Sequence, residues 1–289
     1  MAKNVARRHH YVPEFLLRPW LIDERDQKVL RGYYWDDRRK LVVCKARGLK
    51  SFCNQIDLLT LAHHPQGRDA LEKVFFGDVD DSGAKVRDIL VQSGPVGLTN
   101  EQRSDFARLL MSLEARRPTV VDTLRQGGDQ FTRKLNEDSS IVAALEKAGV
   151  QETPAQFFER RSGRKLEDRS LSIIQRLVDN PDVGNRLVRA RWVVKHLGKT
   201  APPLILSDRP FIRFNAYDAA NAVWILPLSQ KAVFVAAAHP TVLSELLKPR
   251  DDRFAKLLNV SSARQVERFA FSSNTQDQNW LRKYLRPKS

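Results

Sequence analysis

Hydrophobic periodicity changes twice along this chain, and that change constrains its fold more than any other feature. Up to about residue 65 the apolar residues sit in short β-rich runs. From about Arg68 to Leu197 they recur three and four residues apart, as on one face of a helix. Beyond Leu204 they return to short apolar runs separated by turns. A chain ordered β, then α, then β with α is expected to be α+β, with helices packed against antiparallel strands. The expected organisation is a single intertwined domain over 1–289. Its sub-regions are a β-rich 1–65 containing a hairpin, a helical 66–199, and a 200–289 of short strands with helices. The terminal β regions are candidates to share one sheet. No internal repeat or low-complexity linker marks a boundary.

Local signals place the elements. Pro13 and Pro19 forbid an ordinary helix interior in residues 9–23, leaving an extended segment with a helical turn at Glu14–Arg18. Val29–Trp35, the turn at Asp36-Asp37 and Lys40–Lys45 read as a hairpin, and Ser51–Leu61 offers a third short strand. Leu71, Val74 and Phe75, then Val86, Ile89 and Leu90, mark helical faces that a break near Gly77 separates. Thr99 with Gln102 forms a capping box ahead of a stripe of Phe106, Leu109, Leu110 and Leu113, and Pro118 ends or kinks that helix. Gln126–Gln130 reads as a glycine loop. Helices are expected at 141–148, after Thr153-Pro154, at 166–178 and at 183–197, the last capped by Gly198. Strands are expected at 204–206, 222–226 and 232–238, and short helices at 241–247, 263–268 and 278–285.

Charge narrows the partners. The net charge is +15, and Arg supplies 32 of the 49 basic residues. Residues 1–50 hold 13 Lys/Arg against 6 Asp/Glu, 160–200 hold 11 against 4, and 201–289 hold 13 against 7. Residues 51–159 reverse the balance, with 12 against 17. An Arg-rich basic chain fits a polyanion, above all nucleic acid, because the guanidinium fork matches phosphate. An arginine-favouring genome is the competing explanation, and a protein partner is a further option. No run reaches the roughly 20 apolar residues of a membrane span, and no signal-peptide pattern follows the basic N-terminus, so no membrane is expected. Cys44 and Cys53 build no disulfide framework or zinc spacing, and a reducing cytoplasm is the expected compartment.

Several residues are candidates for chemistry, each with a plainer alternative. His9-His10 opens an aromatic segment, and such a pair offers a base or metal ligand, or a surface histidine beside a packed one. Asp208, in Ser207-Asp208-Arg209-Pro210 at the end of an apolar run, is either an active-site carboxylate or the cap of a turn. Glu72 with Asp78, Asp80 and Asp81 is either a Mg²⁺ or Mn²⁺ site for phosphodiester cleavage or a solvated helix face. Arg117, with Glu114 and Arg116, binds either phosphate or nearby carboxylates and carbonyls. Arg186, Arg189 and Lys195, with Trp192 interleaved, form either a phosphate-facing stripe or the polar face of an ordinary helix, and Arg209 is a further phosphate candidate. Walker, GxGxxG, HExxH, GxSxG and EF-hand patterns do not occur, which disfavours NTPases, Rossmann dehydrogenases and zincins.

These segments together resemble the prokaryotic DUF 4238 family. His10-Tyr11-Val12-Pro13-Glu14-Phe15-Leu16-Leu17-Arg18 is similar to its N-terminal signature. Leu71-Glu72, Arg117-Pro118, Trp192, Leu206-Ser207-Asp208-Arg209-Pro210, Leu226-Pro227-Leu228-Ser229 and Arg268–Ser273 follow in the family's order. The resemblance supplies no activity. It adds weight to His10, Glu72, Arg117 and Asp208 as a set. The leading expectation is a nucleic-acid-processing, nuclease-like protein acting against mobile elements. In it His10 is the base or a metal ligand, Glu72 and Asp208 hold Mg²⁺ or Mn²⁺, and Arg117 and Arg209 stabilise the phosphorane. A non-catalytic nucleic-acid-binding module and a structural or protein-interaction domain are the alternatives.

Overall fold

In the computed structural model of the chain, which describes residues 7–64, 66–275 and 277–285, the first period change coincides with the change from strands to helices, whereas the return to strands comes earlier than expected, at Arg191. The protein is α+β. Its chain divides into two compact units, each woven from separate stretches. Unit 1 takes Met1–His9, Gln55–Asp78 and Ala115–Asp179; unit 2 takes His10–Asn54, Val79–Glu114 and Asn180–Ser289.

The early elements follow the prolines and turns. β1 (Arg8–His10) ends before Pro13, which precedes α1 (Glu14–Leu17), and a 3₁₀ turn with Pro19 near its start follows. Trp20 is fully buried and donates its indole N–H to the Leu204 carbonyl at 2.7 Å. β2 (Ile22–Glu24), β3 (Gln27–Asp36) and β4 (Leu41–Arg47) form the hairpin region, with Tyr33 opposite Cys44 in the β3–β4 ladder. The third short strand is β5 (Asn54–Ile56), which pairs with β1.

Helices fill the middle of the chain. A π-helical stretch at Leu71–Phe76 runs directly into α2 (Gly77–Ser93), so no break occurs at Gly77. α3 (Asn100–Ala115) starts on the reciprocal Thr99–Gln102 bonds, and Phe106, Leu109, Leu110 and Leu113 are buried. Pro118 takes the first position of α4 (Pro118–Glu137), where its missing N–H is not needed. The glycine loop expected at Gln126–Gln130 is a correction: it lies inside α4. Gly128 lets α4 approach α7, for an added Cβ would stand 2.8 Å from the Ser170 Cβ, and this packing outweighs the roughly 1 kcal/mol propensity cost of each helical glycine. α5 (Ser139–Lys147) starts on Asp138, which accepts from the Ser140 and Ile141 N–H groups. α6 (Pro154–Ser162) starts on a complete Thr153–Gln156 capping box and ends on left-handed Gly163, and α7 (Leu166–Val178) completes unit 1.

In unit 2, α8 (Pro181–Arg189) is followed at once by β6 (Arg191–His196). The helix expected over 183–197, capped by Gly198, is therefore corrected. Trp192-Val193-Val194 favours a strand, and side chains supply the helix stop. The Trp192 indole donates to the Leu187 carbonyl at 2.8 Å, and Arg103 donates to the Val188 and Ala190 carbonyls at 2.9 Å each. β7 (Leu206–Ser207), β8 (Ile212–Phe214), β9 (Val223–Pro227) and β10 (Ala232–Ala237) follow, then α9 (Pro240–Leu247), α10 (Asp251–Arg264), β11 (Ala270–Phe271) and α11 (Asp277–Leu285). The helix expected at 263–268 is corrected in turn: α10 ends at Arg264, and 267–269 is a loop fastened to Asp208. One antiparallel sheet runs β6-β10-β9-β8, with β10 buried along its whole length. A second, besides the β1–β5 pair, runs β2-β3-β11-β7 with β4 paired to β3, so N-terminal and C-terminal strands share it. Among the described residues no helix is long and apolar enough to cross a membrane.

Candidate functional site

Asp208 follows β7 and is 3% exposed. Its Oδ1 accepts from the Glu267 N–H at 3.0 Å, and its Oδ2 accepts from those of Arg268 and Phe269 at 2.7 and 3.0 Å. Its own N–H donates to the Phe269 carbonyl at 2.8 Å. Burial pushes its pKa up to about 6, against the lowering effect of the three N–H donors. The neighbouring Ser207 hydroxyl donates to the Arg209 carbonyl at 2.5 Å, and Gln265 also donates to that carbonyl. The Ser-Asp-Arg-Pro motif thus fastens β7 to the segment leading into β11.

The aromatic start of the chain meets the same knot. Tyr11 and Cys53 are buried; the Tyr11 N–H donates to the Cys53 carbonyl at 2.9 Å, and the hydroxyl and thiol share a hydrogen bond. Burial, reinforced by the Asp208 charge, pushes both pKa values well up, so neither group ionises near neutral pH. Cys53 has a φ of 50°, in the left-handed region that favours glycine. Phe269 stacks edge-on against Phe52, and the Arg268 guanidinium lies 5.0 Å from the Phe269 ring centre.

The two histidines have different surroundings. His9 is fully buried, and its Nδ1 accepts the Leu59 N–H at 2.8 Å. His10 is half-buried, with Nε2 3.5 Å from the Glu14 carboxylate. An imidazole held beside a carboxylate and partly open to solvent is equipped to accept a proton. Proline at 13 makes this pairing local, because it turns the chain so that Glu14 begins α1 beside the end of β1.

The basic residues divide by partner. Arg186 and Arg189 lie in the last turn of α8 and Arg191 opens β6; all three are exposed, and none joins an ion pair among the described residues. Arg103 lies 4.0 Å from the Trp192 ring centre, and its pKa is lowered by burial and then by the Arg191 charge. Lys195, further along β6, is bonded to Asp251 at 2.8 Å. Arg209 lies 3.7 Å from Glu114. Unit 2 holds 32 Lys/Arg against 20 Asp/Glu, and unit 1 holds 17 against 14.

Of the set His10, Glu72, Arg117 and Asp208, His10 and Asp208 belong to unit 2, and Glu72 and Arg117 to unit 1. Glu72 lies in the π-helical stretch and is half-buried. Arg117 stands at the N-terminus of α4 and donates to the Thr119 hydroxyl at 3.3 Å. Among the described residues no group of three or more His, Cys, Asp or Glu side chains is placed to hold a metal ion. Sequence reasoning missed Arg103, which ends α8 from 85 positions away in the chain. It also missed Asp168, which accepts from the Ala62 and His63 N–H groups at 2.7 and 2.8 Å. Neither residue lies in a motif, and only their distant partners give them meaning.

No curated protein and no solved structure matches the chain. The model of a family described as a protein of unknown function, DUF4238, matches residues 8–276. That span takes in the His10–Arg18 signature, Arg117-Pro118 and the Asp208 motif, and the chain belongs to this DUF4238 family.

Proposed function

We propose that the protein binds nucleic acid through the phosphate backbone, using the corner where α8 meets β6. The observation that carries this reading is the run of exposed Arg186, Arg189 and Arg191, none paired with a carboxylate among the described residues, beside a half-buried Arg103 that already feels the Arg191 charge. A patch whose positive charges repel one another gains most from a polyanion, which releases its counterions as the arginines take their place. Unit 2 also carries most of the excess positive charge. Two free cysteines fit the reducing cytoplasm as the place of action.

The test is fluorescence anisotropy with labelled single-stranded RNA, single-stranded DNA and duplex DNA over a salt series. Binding should fall with salt. On duplex DNA, Arg186→Ala/Arg189→Ala/Arg191→Ala should flatten the log–log slope by about 0.9 for each phosphate that an arginine no longer neutralises. Lys195→Ala, whose charge is already answered by Asp251, should change the slope less. No binding at low salt, or an unchanged triple variant, would defeat the proposal.

Phosphodiester hydrolysis is a second reading, favoured by the His10–Glu14 pair, which resembles a base and its orienting group. Its test is a denaturing gel with Mg²⁺, Mn²⁺ or EDTA. His10→Ala should abolish cleavage and leave binding intact. Asp208→Ala is the wrong probe for this question, because the Asp208 carboxylate fastens the 267–269 loop.

A further inference from the structure

Unit 1 contains a cavity of about 440 Å³ between α4, α6 and α7. That volume lies within the usual range for a small-molecule site, about 300–1,000 Å³. Its apolar wall includes Leu124, Phe131, Phe158 and Ile173, and its rim carries Arg164, Arg169 and Arg176; no Asp or Glu lines it. Phe131, Phe158 and Ile173 are 54%, 38% and 41% exposed, so three large apolar groups gather where water has free access. The Arg169 guanidinium lies 5.0 Å from the Phe158 ring centre. Between Leu124 and Phe131 the α4 wall carries no side chain at Gly127 and Gly128, and an added Cβ at Gly127 would meet nothing within 4 Å.

We infer that this cavity binds a small aromatic anion, a planar ring bearing a phosphate or carboxylate. The two phenylalanines supply faces for the ring. The arginines supply bidentate donors for the anion, and with no carboxylate in the wall nothing inside the cavity competes for them. A neutral apolar ligand would leave three guanidinium groups at the rim unused. The inference is independent of the nucleic-acid reading, which concerns other residues in the other unit.

The probe is 1-naphthyl phosphate, titrated into the full chain by calorimetry. One site per chain is expected, with 1-naphthol, the neutral counterpart, weaker by about tenfold or more. Gly127→Leu should abolish binding by filling the cavity, and because it removes a helical glycine it should not lower the melting temperature. Arg169→Ala/Arg176→Ala should weaken the phosphate by about tenfold while leaving 1-naphthol unchanged. If Gly127→Leu fails to fold, the arginine pair, exposed on α7, decides alone. Absent binding, binding that survives Gly127→Leu in a folded chain, equal affinity for 1-naphthol, or preference for dodecanoate would each overturn the inference.

Discussion

A carboxylate that accepts three backbone N–H groups does for a loop what a capping residue does for a helix, and Asp208 does so while almost wholly buried. In the sequence, Ser207-Asp208-Arg209-Pro210 reads equally well as an active-site carboxylate or as a cap. What distinguishes them is the partner, the 267–269 loop some sixty positions later, which a four-residue motif does not contain. His9 and His10 are undecided in the same way until the Leu59 N–H and the Glu14 carboxylate appear. Asp208→Asn points an amide NH₂ at backbone donors and should destabilise by about 1–3 kcal/mol for each group left unsatisfied. The pH dependence has a definite sign. The folded pKa of about 6 lies above the ordinary value of about 3.9, so the folded state holds the proton more tightly. The stability that Asp208 contributes is greatest below about pH 4 and declines as pH rises to about 6, by up to about 3 kcal/mol. Urea unfolding at both ends of that range should show the gap between the native chain and Asp208→Asn narrowing toward neutral pH. A gap that widens would mean that the three N–H donors outweigh burial.

Elements whose signals are local were legible in the sequence, and those set by distant packing were not. The 166–178 helix, the Thr153 capping box and the β3–β4 hairpin need only their own residues and neighbours. The α8–β6 junction needs Arg103, and the continuity of α4 through Gln126–Gln130 needs Ser170. Gln-Gly-Gly-Asp has every local mark of a loop, yet it stays helical because the missing Cβ of Gly128 lets α4 lie close to α7. The two glycines therefore predict opposite outcomes. Gly127→Ala removes backbone freedom from the unfolded chain at a position with open space, and should stabilise by about 0.5–1 kcal/mol. Gly128→Ala drives a methyl to within 2.8 Å of a buried serine and should destabilise by about 1–3 kcal/mol as the helices separate. Chemical denaturation of both variants measures the difference. Equal effects would show that helix propensity, and not the approach of α7, governs this stretch.

At the scale of the whole molecule, the chain's order in sequence is not its order in space. β11 lies between β3 and β7, with Phe271 opposite Gly32 on one side and Leu206 on the other. The C-terminal segment also fastens the N-terminal hairpin through side chains. Arg31 donates to the Ser273 carbonyl at 3.1 Å, the Tyr33 hydroxyl to the Asn274 carbonyl at 3.1 Å, and Gln278 to the Val42 carbonyl at 2.7 Å. Pairing over more than 230 positions closes a long loop, so this sheet should form late in folding. A chain ending at Gln265 keeps β3, β4 and β7 but lacks the strand between them. Without β11, β3 presents unpaired backbone groups to water or to another copy, and Asp208 keeps its charge without its three donors. The truncated chain should therefore aggregate, and whatever stays soluble should have lost near-ultraviolet circular dichroism, because Trp280 is removed and Tyr33 loses the cluster it shares with Ala270 and Leu281. Sedimentation and circular dichroism of the truncated and full chains test this. A monomeric, cooperatively unfolding product would show that the hairpin and β7 stand without β11, and that the long-range sheet is a late addition to an already stable core.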